Sequence, residues 1–213
     1  MGREVAVNGR IGVAVVSIAT TVVLTPTIQT SAQRGKVGVV ATLEGSVSVT
    51  RQATESRPLA SNEDVLAQNR IVTAGESKAV IEFATKATVV LGYGSVLTIS
   101  EESGSLMLDL DNGVVNYGVS REGNRSDEPQ AVRTPNAIAR TTGRLLVRVS
   151  RESAGGVVTT MCVWEGHGSA AVLEGAKIDV PEGNCVTVNG SALGTIFPMP
   201  PPPVPARGPH IGS

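Results

Sequence analysis

Residues 131–173, AVRTPNAIARTTGRLLVRVSRESAGGVVTTMCVWEGHGSAAVL, leave little room for anything but β-structure. Apolar side chains alternate along it, as at Leu145, Val147 and Val149, and β-branched residues are frequent. A period of two buries one face of an extended chain, whereas a helix needs spacings of three and four. The stretch divides into three successive strands: one after Thr134-Pro135, one over 145–149 and one over 157–164. A turn at Glu165-Gly166 then leads into a further apolar segment at 169–173.

The chain on either side follows the same rule. In KVGVVATLEGSVSVTR (36–51), two alternating runs flank Glu44-Gly45, which predicts a two-strand unit. Residues 52–64 are polar, contain Pro58 and read as a loop. Further strands are expected over 78–84, 86–91 and 96–100. Leu106, Leu108 and Leu110 share one face, and Asn112-Gly113 separates them from a second run at 114–119. An Asn-Gly pair between alternating runs predicts a hairpin, because a type I′ turn needs positive φ at both central residues. Residues 177–180 and 185–188 follow, with a second Asn-Gly turn at Asn189-Gly190. The expectation is an all-β domain over 35–196: a two-sheet sandwich or β-roll of about a dozen short strands.

Two segments lie outside that domain. Residues 1–10 are weakly basic, and residues 11–24, IGVAVVSIATTVVL, are uncharged and mostly apolar. Pro26 ends the run, and Thr30-Ser31-Ala32 places small residues before Gln33. This is the plan of a secretory signal-peptide helix over 1–32. The apolar run is shorter than the roughly 20 residues that span a bilayer. An uncleaved anchor and a buried core helix are the alternatives, and the first two readings place the remaining chain outside the cytoplasm. At the other end, residues 197–213 (FPMPPPPVPARGPHIGS) are too rich in proline for a sheet and read as a disordered tail.

Charge and reactive side chains narrow the function classes. With 18 basic and 19 acidic residues the net charge is −1, and there is no basic stripe of the kind nucleic acid requires. Contact with a membrane is expected only through the N-terminal segment if it is uncleaved. His167 and His210 stand far apart and without clustered ligands, so no metal centre and no cofactor is expected. Asp109-Leu110-Asp111-Asn112-Gly113 lacks the register of a calcium loop and the glutamate that closes one. No serine sits in a nucleophile elbow, and Gly92-Tyr93-Gly94 is too short to cradle phosphate. Tyr93, Tyr117 and Trp164 are candidates for stacking on a sugar ring, or else for packing. Cys162 and Cys185 are an even pair, which permits one disulfide in an exported chain or two separate buried thiols.

The order of these segments resembles the extracytoplasmic FecR-like domain. The resemblance rests on Thr73-Ala74-Gly75, on Thr134-Pro135-Asn136-Ala137-Ile138-Ala139 leading to Gly143, and on Glu165-Gly166. It covers residues 37–188 and departs from the family at Gly143-Arg144-Leu145-Leu146 and at Ala84-Thr85-Lys86. It implies that Thr73, Gly75, Thr134, Pro135, Ala137, Ala139, Gly143, Glu165 and Gly166 are turn and packing residues. It also implies the outer domain of a signalling regulator without a cytoplasmic effector, since ten residues precede the apolar run. A direct anti-sigma role is therefore not expected. The sequence points to a non-enzymatic, extracytoplasmic binding or sensing module of the periplasm or cell surface. Its partner would be an envelope protein or a cell-wall polymer. The alternative is a structural, wall-associated protein with a proline-rich tail.

Overall fold

The structure is a computed structural model that describes residues 35–51, 55–102, 105–119, 130–153 and 155–200. The expected signal segment at 1–32 and the tail beyond residue 200 lie outside these. The described residues form eighteen strands and no helix. The first nine are β1 (Lys36–Glu44), β2 (Val47–Arg51), β3 (Arg57–Pro58), β4 (Asp64–Leu66), β5 (Asn69–Thr73), β6 (Lys78–Phe83), β7 (Ala87–Leu91), β8 (Val96–Glu102) and β9 (Ser105–Val119). The second nine are β10 (Gln130–Arg133), β11 (Ala137–Thr141), β12 (Arg144–Arg151), β13 (Val157–Glu165), β14 (Gly168–Val172), β15 (Lys177–Val180), β16 (Asn184–Asn189), β17 (Ala192–Leu193) and β18 (Phe197–Pro198).

Pairing sorts the strands into two sheets. Sheet A runs β4-β1-β6-β7-β9-β12-β13-β16, with β17 and β18 on the outer edge of β16. Sheet B runs β3-β2-β5-β8-β9-β10-β11-β14-β15. All pairings are antiparallel except β9 with β10. The inward faces of both sheets meet in one apolar cluster that includes Ile71, Leu97 and Leu110 from sheet B and Ile81, Leu145 and Val163 from sheet A. The fold is the two-layer all-β arrangement expected.

β9 belongs to both sheets. Its first half pairs with β8 and β10, and its second half pairs with β7 and β12. This corrects the hairpin expected at Asn112-Gly113. The strand runs straight through that pair and bends from one sheet into the other there. Gly113 has φ +94, and the β8–β9 register shifts beside it, between Val96 and Leu97. A bulge with a glycine at positive φ is how a strand turns a sandwich corner. Asn112 Nδ2 donates to Gly94 O at 2.9 Å, which fixes the bend to the β7–β8 corner. The other Asn-Gly pair does form a hairpin, with Asn189 opposite Ala192. Glu44-Gly45 needs a related correction. β1 and β2 do not pair with one another, and Gly45 carries the chain from sheet A to sheet B. At the far end the ladder passes the expected limit at residue 196. Phe197 and Pro198 lie opposite Cys185 and Asn184, and Met199 N donates to Gly183 O at 2.9 Å. Proline is tolerated there because the strand is an edge.

The fold contains an internal repeat. β2, β5, β6, β7, β8 and the two halves of β9 are matched in order by β10, β11, β12, β13, β14, β15 and β16. The pairings β2–β5, β5–β8, β8–β9, β6–β7 and β7–β9 recur as β10–β11, β11–β14, β14–β15, β12–β13 and β13–β16. At the corner out of sheet B the sequences align without a gap: Leu108-Asp109-Leu110-Asp111-Asn112-Gly113 against Ile178-Asp179-Val180-Pro181-Glu182-Gly183. Both closing glycines have positive φ, +94 and +75.

Among the described residues, Tyr117 carries a core polar atom without a partner. Tyr117 is 1% exposed on the inner face of β9, and its hydroxyl makes no hydrogen bond. Burial pushes its ionisation well above the ordinary tyrosine range. A buried, unsatisfied hydroxyl costs about 1–3 kcal/mol. Tyr117→Phe removes that cost while keeping the ring, so we expect it to raise stability by roughly 1 kcal/mol. Chemical denaturation measures this directly, and a lower midpoint for the variant would show that the hydroxyl has a partner in solution.

Candidate functional site

The residues that carry the family resemblance hold corners and turns. Thr73 ends β5 and is buried; its Oγ1 donates to Gly92 O at 2.5 Å and accepts from Ser95 N at 2.8 Å. It thereby ties the β5–β6 corner, which contains Gly75, to the β7–β8 corner. Thr141 plays the matching part in the second repeat: its Oγ1 donates to His167 O at 3.2 Å and accepts from Gly143 N at 3.0 Å. Gly143 is needed for close approach. A Cβ there would lie 2.1 Å from Glu165 O, so the β11–β12 corner packs directly on the Glu165-Gly166 corner.

Thr134, Pro135 and Asn136 form the opposite, β10–β11 turn. Thr134 Oγ1 donates to Ala137 O at 3.1 Å and accepts from Ala137 N at 3.0 Å. Thr159 Oγ1 lies 2.9 Å from Thr134 Oγ1 and 2.6 Å from Asn136 Oδ1. Asn136 Nδ2 sits 3.1 Å from the carbonyls of Val157, Val188 and Gly190, and shares its two protons among them. Ala137 and Ala139 point into the core at 2% and 1% exposure. This cluster clamps a sheet B turn onto the strand ends of sheet A. Asn136 is its hub, a role that no local sequence signal announces, since its carbonyl partners lie far along the chain.

Cys162 and Cys185 lie directly opposite one another on β13 and β16 and form a disulfide. They share the outer face of sheet A with Leu146, opposite Cys162, and Phe197, opposite Cys185. Trp164, 41% exposed, falls on that same outer face of β13. Tyr93, 63% exposed, stands at the β7–β8 corner. β7 and β13 are three strand spacings apart, about 14 Å, too far for the two rings to sandwich one sugar. Tyr117 is buried and takes no part.

The outer face of sheet B is charged instead. Arg133 on β10 pairs with Glu102 and lies 3.5 Å from Asp109, whose other oxygen accepts from Ser100 Oγ at 2.6 Å. Arg70 and Asp111 pair at 3.5 Å. Asp109 and Asp111 are therefore side chains along a paired strand rather than ligands of a loop. Among the described residues no group of three His, Cys, Asp or Glu could hold a metal ion. A cavity of about 440 Å³ opens between the turns at Pro135-Asn136, Leu173–Ala176 and Gly190-Ser191. Its polar lining is Glu174, Ser191 and Asn136, whose amide is already committed to the clamp.

At the beginning of the roll, Glu63 organises the segment that leads into β4. Its carboxylate accepts from Arg57, from Arg51 Nη2 at 2.8 Å and from Ala60 N at 3.1 Å. The hydrogen bond from Arg57 is the main reason its pKa lies below the ordinary value of 4.5; partial burial opposes it, and the Ala60 amide and both arginine charges add to it. A depressed carboxylate stabilises the fold above its unfolded-state pKa, and that stability is lost as pH falls through the folded value. We expect stability to fall on acidification below pH 4.5, and Glu63→Gln to flatten that acid limb. Unfolding midpoints measured across that range test this; parallel curves for the two proteins would place the acid sensitivity elsewhere.

No protein-family profile matches this chain, and no curated protein does. Among solved structures it is similar to two crystal structures of a protein from Parabacteroides distasonis described as a candidate anti-sigma factor. Both share 18% identity at a TM-score of 0.49, over 61% of this chain and 58% of theirs. The alignment thus spans little more than half of that protein.

Proposed function

We propose that this chain is a non-enzymatic, FecR-like β-domain that works outside the cytoplasm as a binding or sensing module of the cell envelope. The disulfide between Cys162 and Cys185 carries the reading, because paired cysteines persist in oxidising compartments and are rare in the cytosol. The apolar run at 11–24 supports export, and the order of the Thr73, Thr134 and Glu165 motifs supports the family resemblance. Those motif residues spend their polar groups on the chain's own corners, so recognition falls to strand edges and outer faces. The partner on this reading is an envelope protein or a cell-wall polymer, met without catalysis and without a cofactor.

Two measurements test the proposal. Mass spectrometry of the native protein should find a mature N-terminus near Gln33. Pull-down from envelope extract should return a defined partner that survives stringent washing. An intact Met1 on protein recovered from the cytoplasm would overturn the location. Material that stays insoluble with the wall and retains no partner would favour a structural role.

A further inference from the structure

The repeat ends on an unmatched edge. In the first repeat, β10 lies parallel to the first half of β9, with Val132 opposite Leu108 and Arg133 opposite Asp109. In the second repeat β15 takes the place of that half-strand, with Ile178 for Leu108 and Asp179 for Asp109. Among the described residues β15 pairs only with β14, and nothing occupies the position that β10 fills on β9. The corresponding edge of sheet A is covered, because β17 and β18 lie along β16.

The edge has free backbone groups and a defined charge. Val172 N donates to Ala176 O at 3.0 Å, so by antiparallel alternation Ile178 and Val180 bond to β14. Lys177 and Asp179 then turn their N–H and C=O outward. The two aspartates differ in one respect. The Asp109 side chain is 24% exposed and held by Arg133 and Ser100. The Asp179 side chain is 89% exposed, and its contact is Lys177 on its own strand at 3.8 Å. Such an exposed pair contributes little and yields readily to a better-placed cation. Charged residues also protect an edge from indiscriminate pairing.

We propose that β15 is a docking edge for an extended segment of a partner protein that adds as a parallel strand. That segment places an apolar residue opposite Ile178 and an arginine or lysine opposite Asp179, as Val132 and Arg133 do one repeat earlier. Main-chain bonds to Lys177 and Asp179 hold it, and the charge sets its register, the usual division of labour in strand addition. This deepens the binding reading given above by naming the partner's chemistry. Its test uses purified components, so it can fail while capture from envelope extract succeeds.

The experiment is an NMR titration of the labelled protein with the capped peptide QAVRTP, the chain's own residues 130–135, and with its charge-reversed form QAVETP. We expect shifts of the amides of Lys177–Val180 with the first peptide and at least fivefold weaker binding of the second. Asp179→Arg, at an exposed position, should reverse the preference. Lys177→Pro removes one outward N–H and should abolish binding of both peptides without loss of the β14 pairing. A spin label at the peptide's N-terminus should broaden Lys177 more than Val180, as parallel addition requires. Four outcomes overturn the proposal: no shifts at millimolar peptide, binding indifferent to the Asp179 charge, broadening greatest at Val180, or β15 occupied by a second copy of the chain without peptide.

Discussion

Replacing Gly113 with alanine is expected to lower the stability of the domain by roughly 2–5 kcal/mol, from backbone strain and overpacking together. The residue has φ +94, which a side chain makes costly by about 1–3 kcal/mol. Space is the second term. A Cβ at Gly113 would lie 2.4 Å from both Cα and Oγ of Ser95. Ser95 cannot move away freely, since its Oγ donates to Val114 O at 3.0 Å and accepts from Val114 N at 2.9 Å. The substitution therefore strains β9 where it passes between the sheets and separates it from the β7–β8 corner. Gly190→Ala is the control. It also sits at positive φ, +56, but a Cβ there meets nothing within 4 Å. It should cost about 1–2 kcal/mol, the penalty of the left-handed region alone. Denaturant midpoints for the two variants measure the difference, and equal losses would remove the bend at Gly113 from its place in the fold.

The same pair of residues shows what could be read from the sequence. Asn112-Gly113 announces positive φ, and the structure has positive φ at Gly113. Whether the chain then reverses or continues depends on partners elsewhere: β8 and β10 before the glycine, β7 and β12 after it. Glu44-Gly45 was legible as a turn for the same local reason, and its passage between sheets was hidden for the same non-local one. Period-two alternation located the strands because each has one face in the core, as in Leu145, Val147 and Val149. Asn136 was not legible as a hub, because its carbonyl partners lie 21 to 54 residues away. The repeat was within reach: Leu108-Asp109-Leu110 and Ile178-Asp179-Val180 share a pattern and both lead to a glycine. The pattern alone does not mark a repeat, because apolar-acid-apolar triplets are common in any half-buried strand.

Removing the disulfide is the second large effect expected, a loss of about 3 kcal/mol on the chain-entropy account. Cys162 and Cys185 are 23 positions apart in sequence, and the bridge limits the unfolded chain across the segment that contains β14 and β15. The register brings them together. Met161 and Val163 point into the core, as does Val186, so Cys162 and Cys185 share the outer face; a slip of one residue would separate them. Thr160 and Thr187 hold the same register two pairs further on, on the same face, their hydroxyls 3.2 Å apart. Both cysteines are buried, at 5% and 0% exposure, so the double Cys→Ala variant also loses packing on that face. Reduction of the wild-type protein should move its denaturation midpoint toward that of the variant, and leave the variant's own midpoint unchanged. The remaining gap between reduced wild type and variant measures the packing, and the shift on reduction measures the covalent link. Two free thiols in unreduced protein from the native envelope, or a midpoint indifferent to reductant, would refute the bridge and remove the main support for an oxidising compartment.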